Sequence, residues 1–240
     1  MRRPSLLLVL LLLTPGCGGA SPQRAPAHPI AAGLEAPGSA DEGEADMAVS
    51  GLHGTLSPRE VRAALRPRLD ELTGCFALRS MSFEQLGGQL RMSIRVDGSG
   101  RVLGAHPEDS TVGDRDVERC VRRVIASVRF PRTHGGGEAL VHWALSVEPP
   151  SAVRQAAVWA PERVARLVRR RGTDALARCH ATSDVQVTAY VSRRGRVINV
   201  GAASSEHHDD EVLDCVARRV RAWRMPSARH VTKVTFDLHS

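Results

Sequence analysis

Five cysteines are the residues of this sequence with the most reactive side chains. Four of them form two similar pairs: Cys75 and Cys179 lie in LTGCF and LARCH, and Cys120 and Cys215 lie in VERCV and VLDCV. Paired cysteines can bind a metal, act as a nucleophile or close a disulfide. The C-x-x-C spacing that zinc sites often use is not present. The chemistry open to these pairs therefore depends on the elements that position them.

The N-terminus indicates that the chain is exported. Two arginines precede an apolar run at residues 6–13, a pattern typical of a secretory signal and too short for a stable transmembrane helix. Residues 1–17 end in LTPGC, which resembles a lipobox and predicts lipidation of Cys17, although Thr14 and Pro15 are unusual there. The alternative is ordinary signal cleavage, which would leave a soluble periplasmic protein. In either case the chain beyond Cys17 is expected outside the cytoplasm, in an oxidising compartment that permits disulfides.

The remaining chain divides into a linker and a duplication. Residues 18–54 are rich in Ala, Gly, Pro and acidic residues, and we predict a disordered tether there. Gly100–Pro131 and Gly195–Pro226 align without a gap at an offset of 95 residues. The repeat predicts two modules, at residues 55–150 and 151–240.

Each module has the pattern of a helix, two strands, a second helix and a last strand. Ser57 and Glu60 predict a capping box at the first helix, which Pro67 should kink. Gly172 should weaken the corresponding helix of the second module. Alternating apolar residues predict the strands, and apolar residues at helical spacing predict the second helices. The predicted fold class is α+β, with two tandem αββαβ modules, each a small three-stranded sheet packed on helices.

The duplication favours one disulfide in each module. Four cysteines beyond the signal allow three connectivities. The repeat favours Cys75–Cys120 and Cys179–Cys215, because each module then closes its own bond and stabilises a small core. A catalytic thiol at Cys179 beside His180 is a weaker alternative, because the first module has no histidine at that place.

Several motifs together resemble one family. VDGSGRV, Ser110, DRDVERCV and FPRTHGGG in the first module resemble the AgmX/PglI C-terminal domain of myxobacterial gliding-motility proteins and lipoproteins, itself similar to the TonB C-terminal domain. The second module departs from the pattern, with Met225 where the family favours Phe. The resemblance implies a TonB-like fold and an envelope location, and it implies little about chemistry. Our first hypothesis is a non-enzymatic envelope scaffold. The resemblance also implies that a sheet edge accepts an extended partner peptide, in a gliding-motility or transport complex.

Clustered arginines suggest a second function. The net charge is +7, and one helix carries a basic run. The members of this run are Arg163, Arg166, Arg169, Arg170 and Arg171. The run is either a solvated helix face or a contact for anionic lipid, lipopolysaccharide, peptidoglycan or an acidic partner. Nucleic acid is not expected, because the chain carries an export signal and only 3% of its residues are aromatic.

The other candidate sites are weaker. His207, His208 and Asp209 have side chains that could bind a metal, but a polar loop before a helix explains them equally. The HGGG segment at residues 134–137 precedes a strand and lacks GK[ST], so we predict a connecting loop. No hydrolase motif is found, so we expect no enzyme activity and no cofactor, with an exported enzyme of unrecognised site as the remote alternative. The expected location is the outer membrane, facing the periplasm or the cell surface.

Overall fold

The computed structural model describes residues 53–240, so the predicted signal, Cys17 and linker residues 18–52 lie outside the described residues. Within that range no helix is both long enough and apolar enough to cross a membrane. The last two residues of the predicted linker, 53 and 54, lie within the described range. Gly54 is buried, and its N–H donates a hydrogen bond to the carbonyl of Glu138.

The first half of the described chain begins with a capped and broken helix. Its segments are α1 (Pro58–Leu65), a 3-10 turn (Arg66–Arg68) and α2 (Leu69–Ser80). The Ser57 side chain accepts the Glu60 N–H, and the Glu60 carboxylate accepts the Ser57 N–H, so the predicted capping box is confirmed. The predicted kink is also confirmed, because the 3-10 turn contains Pro67.

A three-stranded antiparallel sheet and a helix complete the first half. The elements are β1 (Gly88–Val96), β2 (Val102–Ser110), α3 (Arg115–Ala126) and β3 (Ala139–Val147). The strand order is β2-β1-β3, so β1 is central and β3 is an edge strand. Asp114 caps α3 by accepting the Val117 N–H. The hairpin, the helix and the return strand follow the predicted order.

The second half repeats this order with one additional strand. Its elements are β4 (Ala157–Trp159), α4 (Ala165–Arg178), β5 (Val185–Val191), β6 (Val197–Ala203), α5 (Asp210–Arg221) and β7 (Thr232–Leu238). The strand order is β4-β7-β5-β6, and β4 runs parallel to β7. The predicted three-stranded sheet is therefore wrong here. A three-residue strand is too short to give an alternating pattern, and its partner lies far along the chain.

The weakened helix predicted at Gly172 is also wrong, because α4 runs through it without a break. Gly172 is buried, and a Cβ added there would lie 3.3 Å from Leu238 Cδ2. The glycine therefore allows α4 to pack closely on β7. The close packing offsets the free-energy cost of placing a glycine in the interior of a helix.

Each sheet buries one face under its own helices. The first core holds apolar residues of α1, α2 and α3 against β1, β2 and β3, and the second holds those of α4 and α5 against β5, β6 and β7. All of residues 53–240 belong to one compact unit. The fold is therefore α+β with two sheets.

Candidate functional site

The four cysteines of the described chain form two disulfides. Cys75 pairs with Cys120, and Cys179 pairs with Cys215, with Cα–Cα distances of 5.7 and 5.6 Å. Each bond joins the two helices that cover one sheet. The thiols are thus unavailable for a catalytic or metal-binding role in this state.

The two halves meet along α3 and α5 through ion pairs. Arg119 Nη1 lies 2.7 Å from Asp214 Oδ2, and Arg115 Nη2 lies 3.1 Å from Asp210 Oδ1. In both pairs the partners are 95 residues apart, which is the offset of the sequence repeat. Each arginine therefore contacts its own repeat counterpart, as expected around a two-fold axis between α3 and α5.

Glu118 lies at the centre of this interface and is fully buried. Its two oxygens accept hydrogen bonds from the Ser110 hydroxyl at 2.6 Å, the Ala202 N–H at 3.0 Å and Arg115 Nη1 at 3.1 Å. Burial raises the pKa of Glu118, and these three donors act in the opposite direction. The carboxylate thus links the first half to β6 and depends on Arg115 for its charge balance.

Tyr190 of β5 extends this interface on the outer face of the second sheet. Its hydroxyl lies 3.1 Å from the Gly87 carbonyl oxygen, and its ring meets Phe83 edge-on at 4.7 Å. Burial raises the pKa of Tyr190 to about 12. Lys233 of β7 donates to the same Gly87 carbonyl and to that of Thr111, and burial lowers its pKa. The outer face of the second sheet is thus largely covered by the first half.

The interface also covers one edge of each sheet. β2 and β6 are the edge strands on the sides that face each other, and the Ser204 N–H donates to the Pro107 carbonyl at 2.9 Å. The Ser110 N–H donates to Gln186 of β5 at 2.9 Å. These contacts cover the edges at β2 and β6, and the outer edge strands β3 and β4 are left to consider.

The outer edge of β3 carries a row of unpaired backbone groups. In β1, Gln89 exchanges hydrogen bonds with Thr111 on the β2 side, so the alternate residues, including Met92, point their backbone toward β3. The register pairs Met92 with Trp143. The residues of β3 whose backbone N–H and C=O groups point away from β1 are therefore Leu140, His142, Ala144 and Ser146. Within residues 53–240 no strand pairs with this edge.

The equivalent edge in the second half is occupied. Since β5 corresponds to β1 and β7 to β3, β4 lies on the edge of β7 that matches the outer edge of β3. The Ala157 N–H donates to the Val231 carbonyl at 3.0 Å, and Val158 projects 75% exposed. The chain thus adds one of its own short segments as a strand at this edge.

The five arginines of the predicted basic run are all exposed, but they do not line a single site. Arg163 packs over the Trp159 ring at 4.7 Å. Arg170 and Arg171 instead line a cleft of about 580 Å³ between α4 and α5. Arg218 and Arg219 of α5, which the sequence did not single out, line its other side.

The suspected metal ligands point in different directions. His208 is buried, and its Nε2 accepts the Thr182 N–H at 3.3 Å. His207 is exposed, 3.8 Å from Asp209, and its ring meets that of His106 at 5.3 Å. In the described part of the chain, no three His, Cys, Asp or Glu side chains are grouped so that they could hold a metal.

The HGGG segment is a loop, and it packs against the first described residues of the chain. Thr55 and His134 exchange two backbone hydrogen bonds of 3.0 and 2.9 Å. Gly135 has a φ of 87°, and a Cβ there would lie 2.3 Å from the His53 carbonyl oxygen. The glycines therefore permit a close approach between two backbone segments.

Sequence reasoning missed the residues that join the halves. One signal could have found part of them, because Arg115 and Arg119 align in the repeat with Asp210 and Asp214. Opposite charges at matched positions would attract each other if the two copies met there around a two-fold axis. The roles of Tyr190 and Lys233 leave no comparable sequence pattern.

The comparisons with known proteins give no relative. No family model matches the chain, and neither the curated proteins nor the solved structures contain a match. The resemblance to the AgmX/PglI and TonB C-terminal domains therefore stays an expectation drawn from the motifs.

Proposed function

We propose that this protein is a non-enzymatic envelope scaffold that binds an extended segment of a partner protein along the outer edge of β3. The observation that carries the proposal is β4, which already lies as an added strand on the equivalent edge of β7. The same architecture thus accommodates a strand at one edge, while β3 keeps its outer backbone groups for another chain.

The composition of β3 supports a binding role. Its nine residues, from Ala139 to Val147, include no Lys, Arg, Asp, Glu or Pro, which are the residues that commonly protect edge strands from pairing. Trp143 and Val147 are only partly buried on the face that packs on the core. A partner strand would contact these two side chains with every second residue, so we expect a partner segment that is apolar on one face.

The surroundings of β3 define the other face of the partner segment. On the open face of the sheet, His142 Nδ1 lies 2.7 Å from Glu108, and Arg95 lies 2.7 Å from Glu138. These pairs place both signs of charge beside the edge. A polar partner face of mixed charge fits them better than a strongly acidic or basic one.

The test removes a single outward N–H. Ala144→Pro deletes the outward donor but leaves the ladder with β1 intact, and Ala144→Ser is the matched control that keeps the donor. A partner captured from envelope extracts by the wild-type chain should be lost with the proline and kept with the serine. On binding, the amides of Leu140, His142 and Ala144 should gain protection from hydrogen exchange. Equal capture by both variants would refute strand addition at β3.

The envelope location is part of the proposal. The export signal, the LTPGC segment and the resemblance to lipoprotein modules support acylation of Cys17 and attachment to the outer membrane. The two disulfides are compatible with an oxidising compartment. Intact mass of the mature protein tests this, since acylation adds the mass of the lipid at Cys17 and an unmodified mature chain would contradict it.

A further inference from the structure

We propose that the cleft between α4 and α5 is a binding site for a phosphate-bearing ligand. Four guanidinium groups line it, two from each helix: Arg170, Arg171, Arg218 and Arg219. Guanidinium groups match phosphate in charge and in hydrogen-bond geometry, because two parallel N–H groups can donate to two oxygens. The proposal is independent of the β3 edge, which lies in the other half of the chain.

Within the described residues, the four arginines have no carboxylate partner that would compete with a ligand. In residues 53–240 none of them forms an ion pair with a carboxylate. By contrast, Arg115, Arg119 and Arg178 are all paired. The one carboxylate in the cleft, Asp174, accepts a hydrogen bond from Arg178 at 2.7 Å. The charge inside the cleft is therefore strongly positive and available to a ligand.

The cleft is held in shape by covalent and apolar contacts. The Cys179–Cys215 disulfide joins α4 to α5, and Cys215 itself lines the cleft. Trp223 forms part of the wall, is 6% exposed and stacks on Phe236 with centroids 6.1 Å apart. A site fixed in this way loses less conformational entropy when a ligand binds.

The charge is specific to the second half. When the helices are aligned on their cysteines, Arg170 and Arg218 correspond to Arg66 and Arg123 of the first half. Arg171 and Arg219 correspond to Pro67 and Val124. Two of the four cations are thus absent from the equivalent place. The fold therefore does not require all four cations at this place.

The first experiment uses pyrophosphate as the probe in titration calorimetry at low ionic strength. The wild-type chain should bind, and Arg171→Gln with Arg218→Gln should weaken binding about tenfold or more. The matched control is Arg59→Gln with Arg62→Gln, which removes the same charge from exposed positions of α1. Asp174→Asn should bind at least as tightly as wild type. Absence of binding, or equal loss in both double variants, would overturn the proposal.

The second experiment distinguishes the source of the phosphate. Full chains carrying Cys17→Ser, so that no acyl chain contributes, are mixed with phosphatidylglycerol vesicles or with phosphatidylcholine vesicles. Sedimentation with the anionic vesicles alone, lost in the cleft variant, assigns the ligand to lipid headgroups. Pyrophosphate binding without vesicle binding assigns it to a soluble phosphate compound. Unchanged melting temperatures show that the variants remain folded.

Discussion

Arg115 and Glu118 form a buried ion pair in which Nη1 and Oε2 lie 3.1 Å apart, one turn from each other on α3. Both side chains are almost completely shielded from water, with exposures of 7% and 0%. The pair connects the halves because Arg115 also reaches Asp214 at 2.9 Å and Glu118 accepts the Ala202 N–H. The junction between the halves therefore contains a buried charge balance shared by Arg115, Glu118 and Asp214.

Removing Arg115 should unfold or loosen the joined halves. Arg115→Met leaves the Glu118 carboxylate buried without its cation, and we expect a loss of about 3–5 kcal/mol in the free energy of unfolding. The double variant Arg115→Met, Glu118→Leu should recover part of this loss, because it removes the unpaired charge and the repeat counterpart of Glu118 is the buried Leu213. Recovery is incomplete because the Ala202 N–H loses its acceptor. Urea denaturation measures both.

A control for this pair is available on the surface. Arg91→Met removes a pair with Glu108 in which the arginine is 50% exposed, and the expected cost is below about 1 kcal/mol. A single Arg115→Met variant as stable as Arg91→Met would contradict the central role of the pair. So would a double variant no more stable than the single one.

The disulfide between α4 and α5 should stabilise the second core. Replacing Cys179 and Cys215 by serine should cost about 2–4 kcal/mol in the free energy of unfolding. Pyrophosphate binding should also weaken, because the cleft would lose its covalent tie. The Cys75→Ser, Cys120→Ser variant is the control, with a similar loss of stability and no effect on the cleft. If the two variants weakened pyrophosphate binding equally, the Cys179–Cys215 disulfide would have no specific role in holding the cleft.

Stability should fall in mildly acidic solution. His106 of β2 lies near His207, His208 and Glu108, and burial holds its pKa below the ordinary 6.5. As the pH falls through 6.5, the unfolded chain binds a proton that the folded state resists, so stability is complete above this pH and declines below it. Urea midpoints at several pH values should show a smaller decline for His106→Gln than for wild type. His230→Gln, at an exposed histidine, should keep the wild-type decline.

Displacing β4 should create a second peptide site, if strand addition at β3 is correct. Ala157→Pro removes the N–H that donates to the Val231 carbonyl. With β4 released, the edge of β7 has the same exposed backbone as the edge of β3. The stoichiometry of partner binding should rise from one to two, measured by calorimetry with the peptide identified from the capture experiment. A stoichiometry that stays at one would show that the two edges are not equivalent.

Local signals accounted for much of the fold. The capping box of Ser57 and Glu60, the break at Pro67 and the alternation along β1 and β5 each depend on residues close in sequence, and each was predictable. The disulfide pairing was predictable because the duplication limits the choices.

The remaining features depend on contacts between distant residues. β4 pairs with β7, which is far away in sequence, and the close packing of Gly172 on Leu238 also joins distant residues. The arginine cleft combines two helices, whereas the sequence showed only the run on α4. Of that run, only Arg170 and Arg171 reach the cleft.

The contact between repeat counterparts has a consequence for self-association. Two copies of the first half arranged in the same way would place Arg119 against Arg119, and two copies of the second would place Asp214 against Asp214. Both arrangements bring like charges together at distances where the intact chain has attraction. The contact surface of each half is thus complementary in charge to that of the other half and repels a second copy of itself. The chain is thereby biased toward closing on itself rather than exchanging halves with a neighbouring molecule.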